Sequence, residues 1–187
     1  MEATKTVRLV RCGLFTALVA IGAFIQIPVP YMDYFTLQFL FVILAGMLLG
    51  SADGAAAVGA YVLIGLAGVP VFAAGGGLQY IFRPSFGYLL GFVAAAYVAG
   101  KAVERKHPSG VGEYFICALA AFAVTYGIGL LYKYLMLNLY VGEATPFWIV
   151  VASCFPLDIP GDLVLCGVGS VLARQLRPAL RRIGYGY

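Results

Sequence analysis

Five long stretches of this chain carry no charged side chain, and that spacing limits the fold more than any motif does. Cys12 to Met32, Tyr34 to Ala52, Gly54 to Phe82, Pro84 to Gly100 and Tyr114 to Tyr132 contain no Asp, Glu, Lys or Arg. A helix needs about 20 residues, at about 1.5 Å each, to cross about 30 Å of hydrocarbon. Composition points the same way. Of 187 residues, 63% are hydrophobic and 11% charged, and mean hydropathy is +0.96. Soluble domains average about 45–50% apolar and about 25% charged residues, and a small domain buries only about two-thirds of its potential surface. The solvent for so much apolar surface must be lipid. The expected fold is an all-α integral membrane protein, a single domain over residues 1–187.

Punctuation divides the chain into six expected spans, at about 7–27, 35–49, 55–69, 85–103, 113–137 and 160–177. The first stops at Pro28-Val29-Pro30, because proline cannot continue a helix. The second ends at the turn Gly50-Ser51-Ala52-Asp53-Gly54, the third at Pro70. Lys5, Arg8 and Arg11 precede the first stretch as they would a signal peptide. It is long for such a segment, lacks a strict A-x-A site and is followed at once by further spans, so it reads as a retained helix. Phe147 to Leu157 is too short to span and is expected to lie at the membrane surface, where Trp148 suits the interface. A new helix is expected at Pro160, since proline is favoured at the first helical position and Asp162 then meets the positive end of the dipole. With the N-terminus inside, Lys5, Arg8, Arg11, Lys101, Arg105, Lys106, Arg174, Arg177, Arg181 and Arg182 fall on the inner side, 10 of 12 basic residues. The positive-inside rule then puts both termini in the cytoplasm.

The outer side gathers the remaining polar residues. Arg83, Lys133 and Asp162 are ionisable groups at outer-leaflet depth, and such residues tend to face a cavity and mark a ligand path. Gly75-Gly76-Gly77 allows positive φ and a close backbone approach. No G-x-x-x-x-G-K-[ST] occurs, so no nucleotide site of that kind is expected on this chain. Gly13 and Ala17, and Ala55 and Gly59, stand four apart, a spacing that allows close helix contact in lipid. Cys12, Cys117, Cys154 and Cys166 lie far apart in apolar runs and read as buried small residues. His107, the single histidine, sits in an inner turn away from the outer cluster. No Cys/His grouping suggests a metal, and no nucleophile–base pair suggests an enzyme.

Three blocks resemble the BioY family, the biotin-binding S components of energy-coupling-factor (ECF) transporters. They are Phe35-Thr36-Leu37-Gln38; Gly65-Leu66-Ala67-Gly68-Val69-Pro70-Val71-Phe72 with the glycine triplet and Arg83-Pro84-Ser85-Phe86-Gly87-Tyr88-Leu89-Leu90-Gly91-Phe92; and Phe155-Pro156-Leu157-Asp158-Ile159-Pro160-Gly161-Asp162-Leu163. The resemblance covers about residues 10 to 175. It implies a six-helix bundle in a bacterial or archaeal cell membrane that binds biotin near its outer face. It also implies docking on a transmembrane coupling subunit and two cytoplasmic ATPases, with Gly13 and Ala17 as the positions that fit the partner interface. No cofactor is implied beyond biotin as the transported ligand.

The ligand sets what the site must offer. Biotin carries a ureido ring with two N–H donors, a thioether ring and a valerate carboxylate. Asp162 is a fitting acceptor for the ureido N–H groups, and Gln79 offers both donor and acceptor. Tyr80, Tyr88, Phe72 and Trp148 are expected to wall the rings, with Arg83 or Lys133 meeting the valerate. Gln38 and Gly76, within the matching blocks, complete the expected binding residues. Many family members carry lysine three residues after the aspartate, where this chain has Leu165. The rival readings are the same architecture serving another small vitamin, an intramembrane enzyme, and a structural adaptor.

Overall fold

The computed structural model describes residues 5–28, 34–154 and 157–182. Seven α-helices dominate: α1 (Lys5–Phe24), α2 (Gln38–Leu49), α3 (Ser51–Leu66), α4 (Phe86–Lys106), α5 (Val111–Leu135), α6 (Phe147–Ser153) and α7 (Asp158–Arg182). A short antiparallel hairpin, β1 (Gln26–Pro28) and β2 (Tyr34–Thr36), links α1 to α2 with Ile27 opposite Phe35. The hairpin is a departure from the expected all-α chain. Proline drives its preceding residue toward extended backbone, so Ile27 is held extended, and Pro28 itself stands opposite Tyr34 at the end of the strand. Val29 and Pro30, like Phe155 and Pro156 of the third block, lie outside the described residues.

Helix α2 is the hub. Its sequence is apolar all round, which suits a helix enclosed on every side, and it packs on α1, α3, α4 and α7. The expected five-residue turn after it is a single residue. Gly50 takes φ 93° and ψ 175°, its N–H reaches Gly46 O at 2.9 Å, and α3 starts at once. Only glycine adopts that conformation cheaply. The new helix start is capped from α4: Glu104 accepts from Ser51 N at 2.7 Å and from Ser51 Oγ at 3.1 Å. Arg8 of α1 pairs with Asp53, Nε to Oδ1 at 2.7 Å.

Small residues let the helices touch. A Cβ added to Gly46 would stand 3.0 Å from both the Ala96 carbonyl carbon and Ala99 Cβ; one added to Gly91 would lie 2.9 Å from Thr125 O. Such contacts are how helices associate where lipid removes the hydrophobic drive.

The last third follows the expected break. Helices α6 and α7 meet at an angle of 54°, and α7 begins at Asp158, which places Pro160 in the first turn where no N–H is needed. Before it, α5 runs into one turn of π-helix, Met136–Val141, that ends at Gly142 with φ 79°. Asn138 folds the following loop back, donating to Tyr134 O at 2.9 Å and Thr145 O at 3.0 Å.

Among the described residues, α1, α4 and α5 with its π turn are long and apolar enough to cross a membrane, and the bent pair α6–α7 makes a fourth candidate. Helices α2 and α3 are apolar but have 12 and 16 residues, roughly 18 and 24 Å of rise. Replacing Gly46 with valine forces side-chain atoms into the α4 backbone. The expected outcome is a loss of about 1–3 kcal/mol or more, read as a lower unfolding temperature in detergent with no ligand present.

Candidate functional site

At the end of the bundle where α2, α4 and α7 begin and α5 finishes lies a cavity of about 570 Å³. Small-molecule sites generally span about 300–1,000 Å³. Its walls are aromatic, with Phe35, Phe39, Tyr80, Tyr88, Phe92 and Tyr126, and its polar groups include Asp158, Asp162, Glu143 and Lys133. Three carboxylates therefore face one ammonium.

Each polar group is held by a different element. The start of α7 at Asp158 puts Asp162 in the second turn and not the first as expected; it is 9% exposed, and Tyr126 Oη donates to its Oδ2 at 2.9 Å. Lys133, in the last turn of α5, donates from Nζ to Ser153 Oγ at 3.0 Å, and that hydroxyl donates on to Val150 O at 2.7 Å. Lys133 thus crosses to α6 and ties it to α5. Tyr88 Oη lies 3.1 Å from Cys154 Sγ.

Gln38, buried at the head of α2, belongs to a chain whose directions are settled by its far end. The Val71 carbonyl only accepts, so Tyr61 Oη donates to it at 3.1 Å and accepts from Gln38 Nε2 at 2.7 Å. The amide oxygen is left for Thr36 Oγ1 at 3.2 Å. This chain joins the cavity floor to the loop after α3.

That loop is ordered by its own backbone. Phe72 and Gly75 exchange both hydrogen bonds, N to O at 2.9 and 3.1 Å, and Gly77 N reaches Gly65 O at 2.7 Å. Gly75 and Gly77 have φ of 112° and 99°. The close approach expected at Gly76 is made to the carbonyls of Val69 and Gly65, so it serves the loop itself.

Of the ten expected binding residues, Asp162, Lys133, Tyr80, Tyr88 and Gln38 line the cavity. Gln79, Arg83, Phe72, Trp148 and Gly76 do not. Gln79 is exposed and donates from Nε2 to Gly76 O at 2.6 Å. Arg83 is exposed, with its guanidinium 5.3 Å from the Tyr80 ring centroid. Phe72 is packed behind the wall, 4.6 Å from Tyr80 and 5.4 Å from Tyr61 between ring centroids. Trp148 points outward, 70% exposed. Leu165 is buried in the core and outside the lining.

Thr36, Phe39, Tyr126, Glu143 and Asp158 line the cavity without having been singled out from sequence. Asp158 stands one helical turn before Asp162, a spacing that would have found it. Tyr126 sits 36 residues from Asp162 inside a plain apolar run, with no local signal. Gly13 and Ala17 are both exposed on α1, and a Cβ at Gly13 would meet nothing within 4 Å. No group of three or more His, Cys, Asp or Glu among the described residues is arranged to hold a metal.

The family model of BioY matches residues 1–182. A probable biotin transporter BioY of Lysinibacillus sphaericus is 36% identical over 181 residues, covering 97% of this chain and 92% of that protein. The biotin transporter BioY of Thermotoga maritima is 40% identical over 171 residues, covering 91% and 95%. In structure the chain is similar to an S-component for biotin from an ECF-type ABC transporter, with a TM-score of 0.81 at 23% identity over 95% of this chain and 94% of that one.

Tyr61→Phe breaks the chain from Gln38 to Val71 and leaves buried polar groups without partners. A loss of about 1–3 kcal/mol is expected, with faster hydrogen exchange in residues 71–77 as the local readout.

Proposed function

The chain belongs to the BioY family, and from that membership we propose that it binds biotin in the cavity between α2, α4, α5 and α7. The observation that carries the reading is the pairing of polar groups with aromatic walls. Asp162 accepts from a ureido N–H, and charge strengthens that bond. Phe39, Tyr80 and Tyr88 flank the fused rings. Lys133 leaves Ser153 to meet the valerate carboxylate, in preference to Arg83, which stands behind Tyr80. The relatives are biotin transporters and the structural neighbour is an S-component for biotin, which supports the same ligand.

In this reading the protein captures biotin at the outer face of a bacterial or archaeal cell membrane. The helices α1 to α5 and α7 make six passes, with α2 and α3 spanning as short, tightly joined members and α6 resting at the outer surface. Both termini are cytoplasmic. The exposed Gly13 and Ala17 face of α1 docks on a transmembrane coupling subunit driven by two ATPases. A second reading, a different small vitamin, draws on Leu165 in place of the family lysine.

Thermal unfolding in detergent with biotin, thiamine or riboflavin separates the two. Stabilisation by biotin alone is expected; stabilisation by another vitamin alone would favour the second reading. Asp162→Asn is expected to weaken biotin binding about tenfold or more, as a charge-assisted bond becomes a neutral one, measured by titration of the purified protein. Epitope tags at either terminus are expected to resist protease added to intact spheroplasts and to be cut once the membrane is opened.

A further inference from the structure

We infer that Tyr126 is a positioning residue for ligand recognition, holding one oxygen of Asp162 so that the other is presented to the ligand in a single orientation. The inference rests on biotin binding in this cavity and names how its key acceptor is set. Tyr126 and Asp162 are 6% and 9% exposed, and the hydroxyl donates to Oδ2 at 2.9 Å. The tyrosine ring is fixed from two sides. Phe122 lies against it with centroids 4.4 Å apart, and Tyr88 meets it edge-on at 5.8 Å and 79°. The hydroxyl therefore has one place to be.

The carboxylate, by contrast, is short of partners. An ionised carboxylate accepts at about four lone-pair positions, yet among the described residues Asp162 has this one hydrogen bond and no ion pair. Lys133, the nearest ammonium in the lining, is engaged by Ser153. The terminal torsion of an aspartate is broad and roughly two-fold, so a free Asp162 would present either oxygen over a range of angles. Anchoring Oδ2 on a rigid phenol removes that freedom and leaves Oδ1 as the acceptor at the cavity wall. A cyclic urea then places one N–H on Oδ1 and must turn its second N–H elsewhere. The Tyr126 hydroxyl acts through Asp162 and without a charge of its own, while the ring, part of the cavity wall, is kept in Tyr126→Phe.

The test is biotin titration of wild type, Tyr126→Phe, Asp162→Ala and the variant carrying both changes. Phenylalanine keeps the ring and its packing, and ligand-free unfolding temperatures confirm that each variant is folded. Tyr126→Phe is expected to weaken binding about three- to tenfold, because Asp162 must then be ordered at the expense of the ligand's binding energy. The double variant is expected to bind no more weakly than Asp162→Ala alone, because alanine leaves the hydroxyl no oxygen to orient. Wild-type affinity in Tyr126→Phe overturns the inference. So does a double-variant loss equal to the product of the two single losses, which marks a general packing effect. Wild-type affinity in Asp162→Ala overturns it while leaving biotin binding intact, whereas a wild-type protein that ignores biotin removes the functional reading and this inference with it.

Discussion

Hydrocarbon offers no hydrogen-bonding partner, so every polar group drawn into a bundle of this kind must be satisfied by the protein itself. Away from the cavity, several buried and half-buried hydroxyls are met by helix carbonyls. Thr125 donates to Ala121 O at 3.1 Å, Ser170 to Cys166 O at 2.6 Å and Thr16 to Ala57 O at 2.8 Å. These residues leave little unspent capacity. The cavity is different: Asp162 takes one neutral donor and Lys133 one hydroxyl, and both retain capacity that a polar ligand would fill. The same constraint that closes the bundle elsewhere makes this end receptive.

The cavity lies where it does because α4 is graded in size. Its start carries Phe86, Tyr88, Leu89 and Phe92; from its middle onward the buried face carries Ala95, Ala96, Ala99 and Gly100. Large side chains at one end hold neighbouring helices apart and furnish aromatic walls. Small ones at the other let α2 and α3 come into backbone contact, where Gly46, Gly54 and Gly100 leave no room for a Cβ. That tight end is further tied by Glu104 on Ser51 and Arg8 on Asp53. One helix thus supplies both a rigid base and an open mouth.

The Gln38–Tyr61–Val71 chain extends the base toward the mouth. It links the head of α2 to the glycine-rich loop through a tyrosine with no exposed surface. Tyr80, which follows that loop, reaches the cavity, while Phe72 packs behind it on Gly65. The loop is therefore a braced wall rather than a tether, and its glycines are used for backbone turns and for contact with α3.

Charge-free runs and prolines determined where most helices lie, their order and the break before α7, because each acts locally: lipid demands long apolar helices, and proline stops them wherever it stands. The same local reasoning found Asp162 and Lys133, since an ionisable residue in an apolar run is conspicuous by itself. It could not tell that Arg83 and Gln79 turn away from the cavity, nor that Tyr126 meets Asp162. Those facts depend on how helices rotate about their axes and which neighbours they choose. In a chain apolar on nearly every face, only the packing of one glycine-lined backbone against another decides that rotation.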